Sequence, residues 1–177
     1  MPNNDTVAVR APEPPKNDTP LRVTSSSFSE GGKISNENIH EWCSGKNTAP
    51  QLSWSGAPSG TKSFAITCFD PDAPTGSGYW HWVAFNIPAS VTSLEAGAGN
   101  SDKPGGGMGG RNDFGTTSYG GPCPPQGHGD HHYIFTVYAL DVETIEGANG
   151  ETTGASTIFM MRGHLLAKGQ TTGVFGH

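Results

Sequence analysis

The sequence is poor in basic residues. Ten lysines and arginines stand against sixteen aspartates and glutamates, so the formal net charge is −6. An acidic protein repels polyanions, and the sequence has no basic run that could displace counterions from a phosphate backbone. We therefore expect no nucleic-acid partner.

Long apolar runs are also absent. No stretch approaches the roughly 20 apolar residues that a membrane-spanning helix needs, and residues 1–20 lack the hydrophobic centre of a signal peptide. The chain as written is expected to be soluble and cytoplasmic, with no transmembrane segment. A periplasmic or secreted location is the alternative if a signal peptide has been removed.

Cysteine is scarce. Cys43, Cys68 and Cys123 are widely spaced and form no Cys-x-x-Cys pair, so the sequence indicates neither a disulfide framework nor a zinc ribbon. One disulfide with one free thiol is compatible with this pattern, and the sequence does not decide between pairing and no pairing. No cofactor or metal is expected.

Glycine and proline are abundant, with 26 and 14 residues respectively, against a usual combined share of roughly 12%. They lie between apolar segments, which predicts many turns and a mainly β domain. Residues 1–21 are rich in proline with few large apolar side chains, and are expected to form a flexible N-terminal arm. Residues 22–177 form the predicted domain.

Apolar, aromatic and β-branched residues predict the positions of the strands. One begins at Leu21, an extended segment spans 49–54, and longer strands span 63–69, 80–87 and 133–140. The spacing of Ile158, Met161 and Leu165 predicts a helix over 156–168 that ends before Gly169. Residues 171–177 receive no assignment.

A short polar stretch joins the strands 63–69 and 80–87. It places Asp70, Asp72 and His81 at strand ends, and Pro71 and Pro74 stiffen the loop between them. The cis or trans state of either X-Pro bond is not determined by the sequence.

Strand alternation gives His81 an expected orientation. A period of two puts His81 on the face of Val83, Phe85 and Ile87, with Trp80 and Trp82 on the opposite face. A histidine on an apolar face is often only a satisfied core residue.

A second irregular stretch, 112–133, ends in the strand 133–140 and carries Gly121, His128, His131 and Tyr133. If the two loops converge, glycine N–H groups and imidazolium donors would recognise a phosphate or a carboxylate. The competing interpretation is that the glycines and prolines only form turns and the histidines are exposed. Residues 128–132 also offer zinc ligands, although their spacing matches no helix-borne zinc motif.

Catalysis has weak support in the sequence. An Asp–His pair could serve a hydrolase, but there is no Gly-x-Ser-x-Gly motif, and Cys123 lies between two prolines with no evident activating base. No catalytic residue is assigned, and whether the protein is an enzyme stays open, with a noncatalytic role favoured.

Several of these motifs together resemble those of phosphatidylethanolamine-binding proteins, and the bacterial branch fits best. The resemblance covers roughly residues 22–175 and rests on motifs in the same order along the chain: Asp70-Pro-Asp-Ala-Pro74, Trp80-His-Trp82, Gly121-Pro-Cys-Pro-Pro125 and His131-His-Tyr133. It implies an all-β antiparallel sandwich with a large central sheet, a smaller second sheet and short peripheral helices, one of them near the C-terminus.

The resemblance also implies a small pocket for phosphate, phosphorylethanolamine-like or acetate-like ligands. The residues that would line it or form its wall are Asp70, Asp72, Pro74, His81, Gly121, Pro122, Cys123, His131 and Tyr133. Compared with eukaryotic relatives, the chain differs at Trp82, Cys123 and His132, so kinase inhibition is not carried over with the pocket.

Three functions follow, in order of preference. The first is noncatalytic, regulatory binding of a small anionic headgroup. The second is inhibition or regulation of a protein kinase or protease that docks through the same pocket, and the third is weak hydrolase activity. A homodimer is compatible with the sequence.

Overall fold

The computed structural model describes residues 11–177 and shows a mainly β protein. Its strands are β1 (Arg22–Thr24), β2 (Leu52–Ser55), β3 (Ser63–Asp70), β4 (Tyr79–Pro88), β5 (Ser93–Leu94), β6 (Met108–Gly109), β7 (His131–Leu140) and β8 (Leu165–Phe175). One α-helix, α1 (Gly154–Met160), and the 3-10 helices Glu41–Cys43, Ala98–Asn100 and Pro104–Gly106 complete the described elements.

The strands form two antiparallel sheets. The larger sheet has the order β6-β4-β3-β7-β8, and the smaller one has the order β1-β2-β5. The predicted all-β sandwich with a large central sheet, a smaller sheet and short helices is therefore confirmed. The long central strands β3, β4 and β7 were all predicted close to their observed bounds.

The larger sheet is buried on both faces. Phe64 and Ile66 of β3 point into the core between the two sheets, where they join Trp54 of the smaller sheet. Ala65 points to the other face and joins a second apolar cluster with Met161, close to the end of α1. Because both faces are covered, β3 is apolar at successive positions rather than at every second one.

The pairing of β3 with β4 is interrupted at His81. Cys68 pairs with Trp82 and Phe69 pairs with Trp80, so His81 is an extra residue on β4 that faces no partner on β3. Such a bulge reorients the side chain of the extra residue and shifts the alternation of the strand.

A second irregularity in the same strand lies near Asn86, whose φ is 56°. Val83 and Phe85 pack on the α1 side of the sheet, whereas Ile87 lies in the core between the sheets. The three residues therefore do not share one face, and the prediction that His81 lies on a common face with them is wrong. Strict alternation fails because β4 contains these two irregularities.

The predicted helix over 156–168 is only partly correct. The helix α1 has seven residues, and its N-cap Thr153 accepts a hydrogen bond from the backbone of Ser156 at 3.2 Å. The chain then turns at Gly163 (φ 80°) and enters β8, which pairs with β7 along its length. The second half of the prediction is wrong, and most of the unassigned segment 171–177 also belongs to β8. No helix within residues 11–177 is long and apolar enough to cross a membrane.

The free edge of β8 is covered by the N-terminal part of the described chain. The backbone N–H groups of Lys16, Asn17 and Leu21 donate to carbonyls of β8, and those of Gly31 and Ile34 do so further along. Residues 1–10 of the proposed arm lie outside the described residues. The division between arm and domain at residue 21 stays a prediction.

Candidate functional site

A pocket of about 210 Å³ opens at one end of the larger sheet. Because neighbouring strands run antiparallel, the end of β3 meets the starts of β4 and β7, which brings Asp70, His81 and His131 to the same edge. The two predicted loops therefore converge. The residues that line the pocket are Trp42, Asp70, Ala73, Pro74, Thr75, Tyr79, His81, Phe114, Cys123, Pro124, Pro125, His131 and Tyr133.

A buried histidine–aspartate pair lies in this pocket. Nδ1 of His131 is 2.8 Å from Oδ2 of Asp70, and the two side chains are only 3% and 4% exposed. The other carboxylate oxygen of Asp70 accepts from the backbone N–H of Asp72 at 2.8 Å. The carboxylate therefore fixes the His131 ring through Nδ1–H and leaves Nε2 available to a ligand.

His81 is fixed in a similar way by a backbone carbonyl. Its Nδ1 lies 2.7 Å from the carbonyl oxygen of Gly120, and because a carbonyl only accepts, Nδ1 carries the hydrogen. Burial lowers the pKa of His81 to about 4, although the Gly120 bond and the charges of Asp70 and Asp113 favour protonation. The ring is therefore neutral at pH 7, with its Nε2 lone pair free to accept a hydrogen bond.

Tyr133 contributes a buried hydroxyl to the same region. Its ring packs edge-on against His81 at a centroid distance of 5.1 Å, and the hydroxyl has no hydrogen-bond partner within residues 11–177. Burial raises the pKa of Tyr133, so the phenol stays protonated and can donate. A buried hydroxyl without a partner costs about 1–3 kcal/mol, so it favours occupancy by a ligand oxygen.

The mouth of the pocket is aromatic and was not predicted. The Phe114 ring contacts both Trp42 and Tyr79, at centroid distances of 5.6 and 5.0 Å, and Trp42 is 75% exposed. His40 stacks on Phe114 at 4.9 Å and accepts from the backbone N–H of Trp42. The segment that carries Trp42 has no hydrophobic periodicity. The one sequence signal for this part of the pocket is a single tryptophan among polar residues.

Asp72 lies beside the pocket and not in it. Its Oδ2 accepts from both the backbone N–H and Nδ1 of His132, at 2.8 and 2.7 Å, in an exposed pair. These two bonds are the main reason that the pKa of Asp72 is lowered. His131 and His132, although adjacent in the chain, therefore bind different carboxylates.

Gly121 and Pro122 support the pocket wall from behind. A Cβ on Gly121 would collide with the backbone of Asn38 and Ile39, so only glycine allows this close approach. The N–H of Gly121 donates to the side chain of Asn47 at 2.7 Å, and the carbonyl of Pro122 accepts from the N–H of His40 at 2.9 Å. Neither residue is among those that line the pocket.

Cys123 lines the pocket as half of a disulfide. It is bonded to Cys43, which belongs to the 3-10 helix that carries Trp42. The disulfide therefore links the mouth of the pocket to its wall. Cys68 is free and buried, so the pattern of one disulfide and one thiol that the sequence left open is the one observed.

The structure defines a two-sheet antiparallel β protein with a pocket at one end of the larger sheet. The phosphatidylethanolamine-binding protein family profile matches residues 24–176. The chain therefore belongs to the phosphatidylethanolamine-binding protein family.

Its similarity to two Escherichia coli K12 proteins agrees with the bacterial branch. The chain is 45% identical to the UPF0098 protein YbcL over 160 residues, which are 88% of this chain and 87% of YbcL. It is 43% identical to the UPF0098 protein YbhB over 162 residues, 88% of this chain and 99% of YbhB.

A solved structure shows the same fold. The crystal structure of E. coli YbcL, described as a new member of the mammalian PEBP family, superposes with a TM-score of 0.85 and 44% identity. The superposition covers 90% of this chain and 99% of that one. Membership of the family is consistent with a ligand-binding, noncatalytic type of protein.

Proposed function

We propose that the protein binds a small ligand carrying a phosphate or carboxylate, such as a phosphorylethanolamine headgroup, without chemical turnover. One observation carries this proposal: His81 and His131 are both held at Nδ1 by protein acceptors, so both present Nε2 to the pocket. The buried hydroxyl of Tyr133 adds a donor that needs no protonation.

The charge of the site makes binding depend on protons. His81 is neutral in the free protein, and Nε2 must be protonated before it donates to an anion. A bound anion favours the imidazolium and opposes the effect of burial, so binding should take up a proton. A ligand that arrives already protonated would instead donate to this nitrogen.

The groups that line the pocket favour binding over catalysis. The sulfur of Cys123 is held in the disulfide, and the hydroxyl of Thr75 donates to the carbonyl of Gly78 at 2.5 Å. The phenol of Tyr133 has a raised pKa, which makes it a poor nucleophile at neutral pH.

Titration calorimetry of the full chain with phosphorylethanolamine and with inorganic phosphate tests the proposal. His131→Gln should weaken binding by at least about tenfold, because it removes a charge-assisted hydrogen bond. His132→Gln is the matched control and should change affinity by less than about threefold, since its exposed pair lies outside the pocket. Absence of heat at millimolar ligand, or equal affinity of the two variants, would contradict the proposal.

A second candidate function is the regulation of a protein kinase or protease, with a phosphorylated or carboxylate side chain of the partner in the pocket. The exposure of Trp42 at the mouth favours it, because a protein partner would bury this ring. Trp42→Ala should then weaken the partner complex by about tenfold or more while binding of free phosphate stays unchanged. Equal loss of both would leave only the small-ligand function.

The disulfide also bears on the compartment. Disulfides persist mainly in oxidising compartments, so the Cys43–Cys123 pair supports a periplasmic or secreted location over the cytoplasmic expectation. Thiol alkylation of the protein taken from its native host should label these two cysteines only after reduction. Labelling without reduction would favour the cytoplasm.

A further inference from the structure

Three side chains with metal-binding atoms meet at the rim of the pocket. The sulfur atoms of Cys43 and Cys123 and a ring nitrogen of His177 all lie within 4.8 Å of one another. Nε2 of His177 is 3.1 Å from Sγ of Cys43. None of the hydrogen bonds that fix His81 or His131 involves these atoms.

The two cysteines are held together by more than their disulfide. The N–H of His40 donates to the carbonyl of Pro122, the residue before Cys123, at 2.9 Å, and the N–H of Cys43 donates to the carbonyl of His40 at the same distance. These backbone bonds join the two segments next to the sulfur atoms. The thiols would therefore stay close to each other after the sulfur–sulfur bond is broken.

The histidine is brought to this position by the larger sheet. Phe175, the last residue of β8, pairs with His131 of β7, and its ring lies 5.7 Å from the ring of His177. The register of β8 thus sets where the chain leaves the sheet, two residues before His177. The third donor is placed by the fold and not by the disulfide.

We propose that reduction of the Cys43–Cys123 disulfide creates a binding site for Zn²⁺ or a similar thiophilic divalent metal, with His177 as the third ligand. A dithiol reductant supplies two electrons and two protons, so the disulfide becomes two thiols and the reductant becomes its own disulfide. The metal then displaces both thiol protons and binds two thiolates and one imidazole. A fourth tetrahedral position remains for water or a small ligand.

The chemistry of the donors matches this choice of metal. Thiolate and imidazole together are the ligands that zinc prefers, whereas Mg²⁺ and Ca²⁺ prefer oxygen. In the oxidised protein neither sulfur is a thiolate, so the site exists only after reduction. The same three residues would therefore stabilise the rim by a covalent bond in one redox state and by a metal in the other.

Cobalt(II) is the probe for this site, because thiolate ligation to cobalt gives an absorption band that imidazole or carboxylate ligation does not. The full chain is reduced, the reductant is removed under anaerobic conditions, and the protein is then titrated with Co²⁺. The reduced chain should show the thiolate–cobalt band with one equivalent bound, and added Zn²⁺ should remove it. The oxidised chain should show no such band.

Two histidine variants test the third ligand. His177→Gln should weaken cobalt binding by more than about tenfold, since loss of even an outer partner of a metal ligand costs that much. His164→Gln is the control, because His164 is an exposed histidine paired with Asp141 and should leave the affinity unchanged. Equal affinity of His177→Gln and wild type would overturn the role of His177.

The proposal also needs the fold to survive reduction. Circular dichroism of the reduced chain should match that of the oxidised chain, and reoxidation after metal removal should restore the disulfide. Absence of the thiolate–cobalt band, or loss of the native spectrum on reduction, would overturn the proposal. Neither outcome would affect anion binding by the oxidised protein, so the two proposals fail separately.

Discussion

Two histidine–aspartate pairs lie side by side in this protein and differ mainly in burial. His131 and Asp70 are 2.8 Å apart and 3% and 4% exposed, whereas His132 and Asp72 are 2.7 Å apart and 55% and 41% exposed. The histidines are consecutive on β7, so their side chains point to opposite sides of the strand. The aspartates are separated by Pro71 alone.

The comparison shows that the same pair of side chains has different consequences in the two environments. The exposed pair contributes little to the free energy of folding, because solvent screens its charges and both side chains lose conformational freedom when they pair. In the pocket, water cannot take the place of the hydrogen bond between His131 and Asp70. This bond therefore fixes both the orientation of the His131 ring and the position of its hydrogen. Residue type alone therefore does not distinguish the buried pair from the surface pair.

Removal of each aspartate tests this difference most directly. Asp70→Ala should lower the free energy of unfolding by about 3 kcal/mol, because it leaves the buried His131 without its partner. Asp72→Ala should lower it by less than about 1 kcal/mol. Urea unfolding of both variants at pH 7 measures the difference, and equal losses would contradict a special role for burial.

The other pocket histidine, His81, sharpens the comparison, since it is buried but has a carbonyl and no carboxylate at Nδ1. Because burial lowers the pKa of His81 to about 4, the proposed binding of an unprotonated anion at Nε2 should be coupled to protonation of the ring. We expect the affinity for sulfate, which does not itself titrate near neutral pH, to rise by up to about tenfold per pH unit on acidification, until the pH approaches 4.

His81→Gln is the control for this experiment. A glutamine cannot take up a proton, so calorimetry between pH 5 and 8 should show a shallower pH dependence than in the wild type. The same slope in the variant and in the wild type would exclude His81 as the proton acceptor.

The exposed pair should give the smallest effect. The pKa of Asp72 is lowered in the folded protein, so its contribution is present above the ordinary carboxyl pKa and is lost as the pH falls through the lowered value. Comparing the acid unfolding of Asp72→Asn and wild type should show a difference of at most about 1 kcal/mol that disappears at the lowest pH. A difference that persists there would have another origin.

Much of the fold could be predicted from local patterns. Aromatic and β-branched residues predict the long strands β3, β4 and β7. The positions of Asp70, His81 and His131 at or near the ends of these strands follow from that prediction. The approach of the two loops to each other follows from antiparallel pairing, which no short stretch encodes. The family resemblance supplied that long-range information.

The errors share a physical cause. Ile158, Met161 and Leu165 have the spacing of a helix, but from Leu165 onward pairing with β7 outweighs local propensity and makes the segment a strand. The side-chain direction of His81 depends on a bulge that appears only when β4 is aligned with β3. Trp42 and Phe114 were missed because they lie on irregular segments with no period at all.

The segment that covers β8 has a consequence for association between molecules. An uncovered edge strand presents unpaired N–H and C=O groups and invites strand addition or amyloid-like stacking. Here residues 16 to 34 already occupy groups along that edge. An incoming strand would first have to displace residues 16 to 34 from β8. This segment therefore opposes polymerisation through that edge.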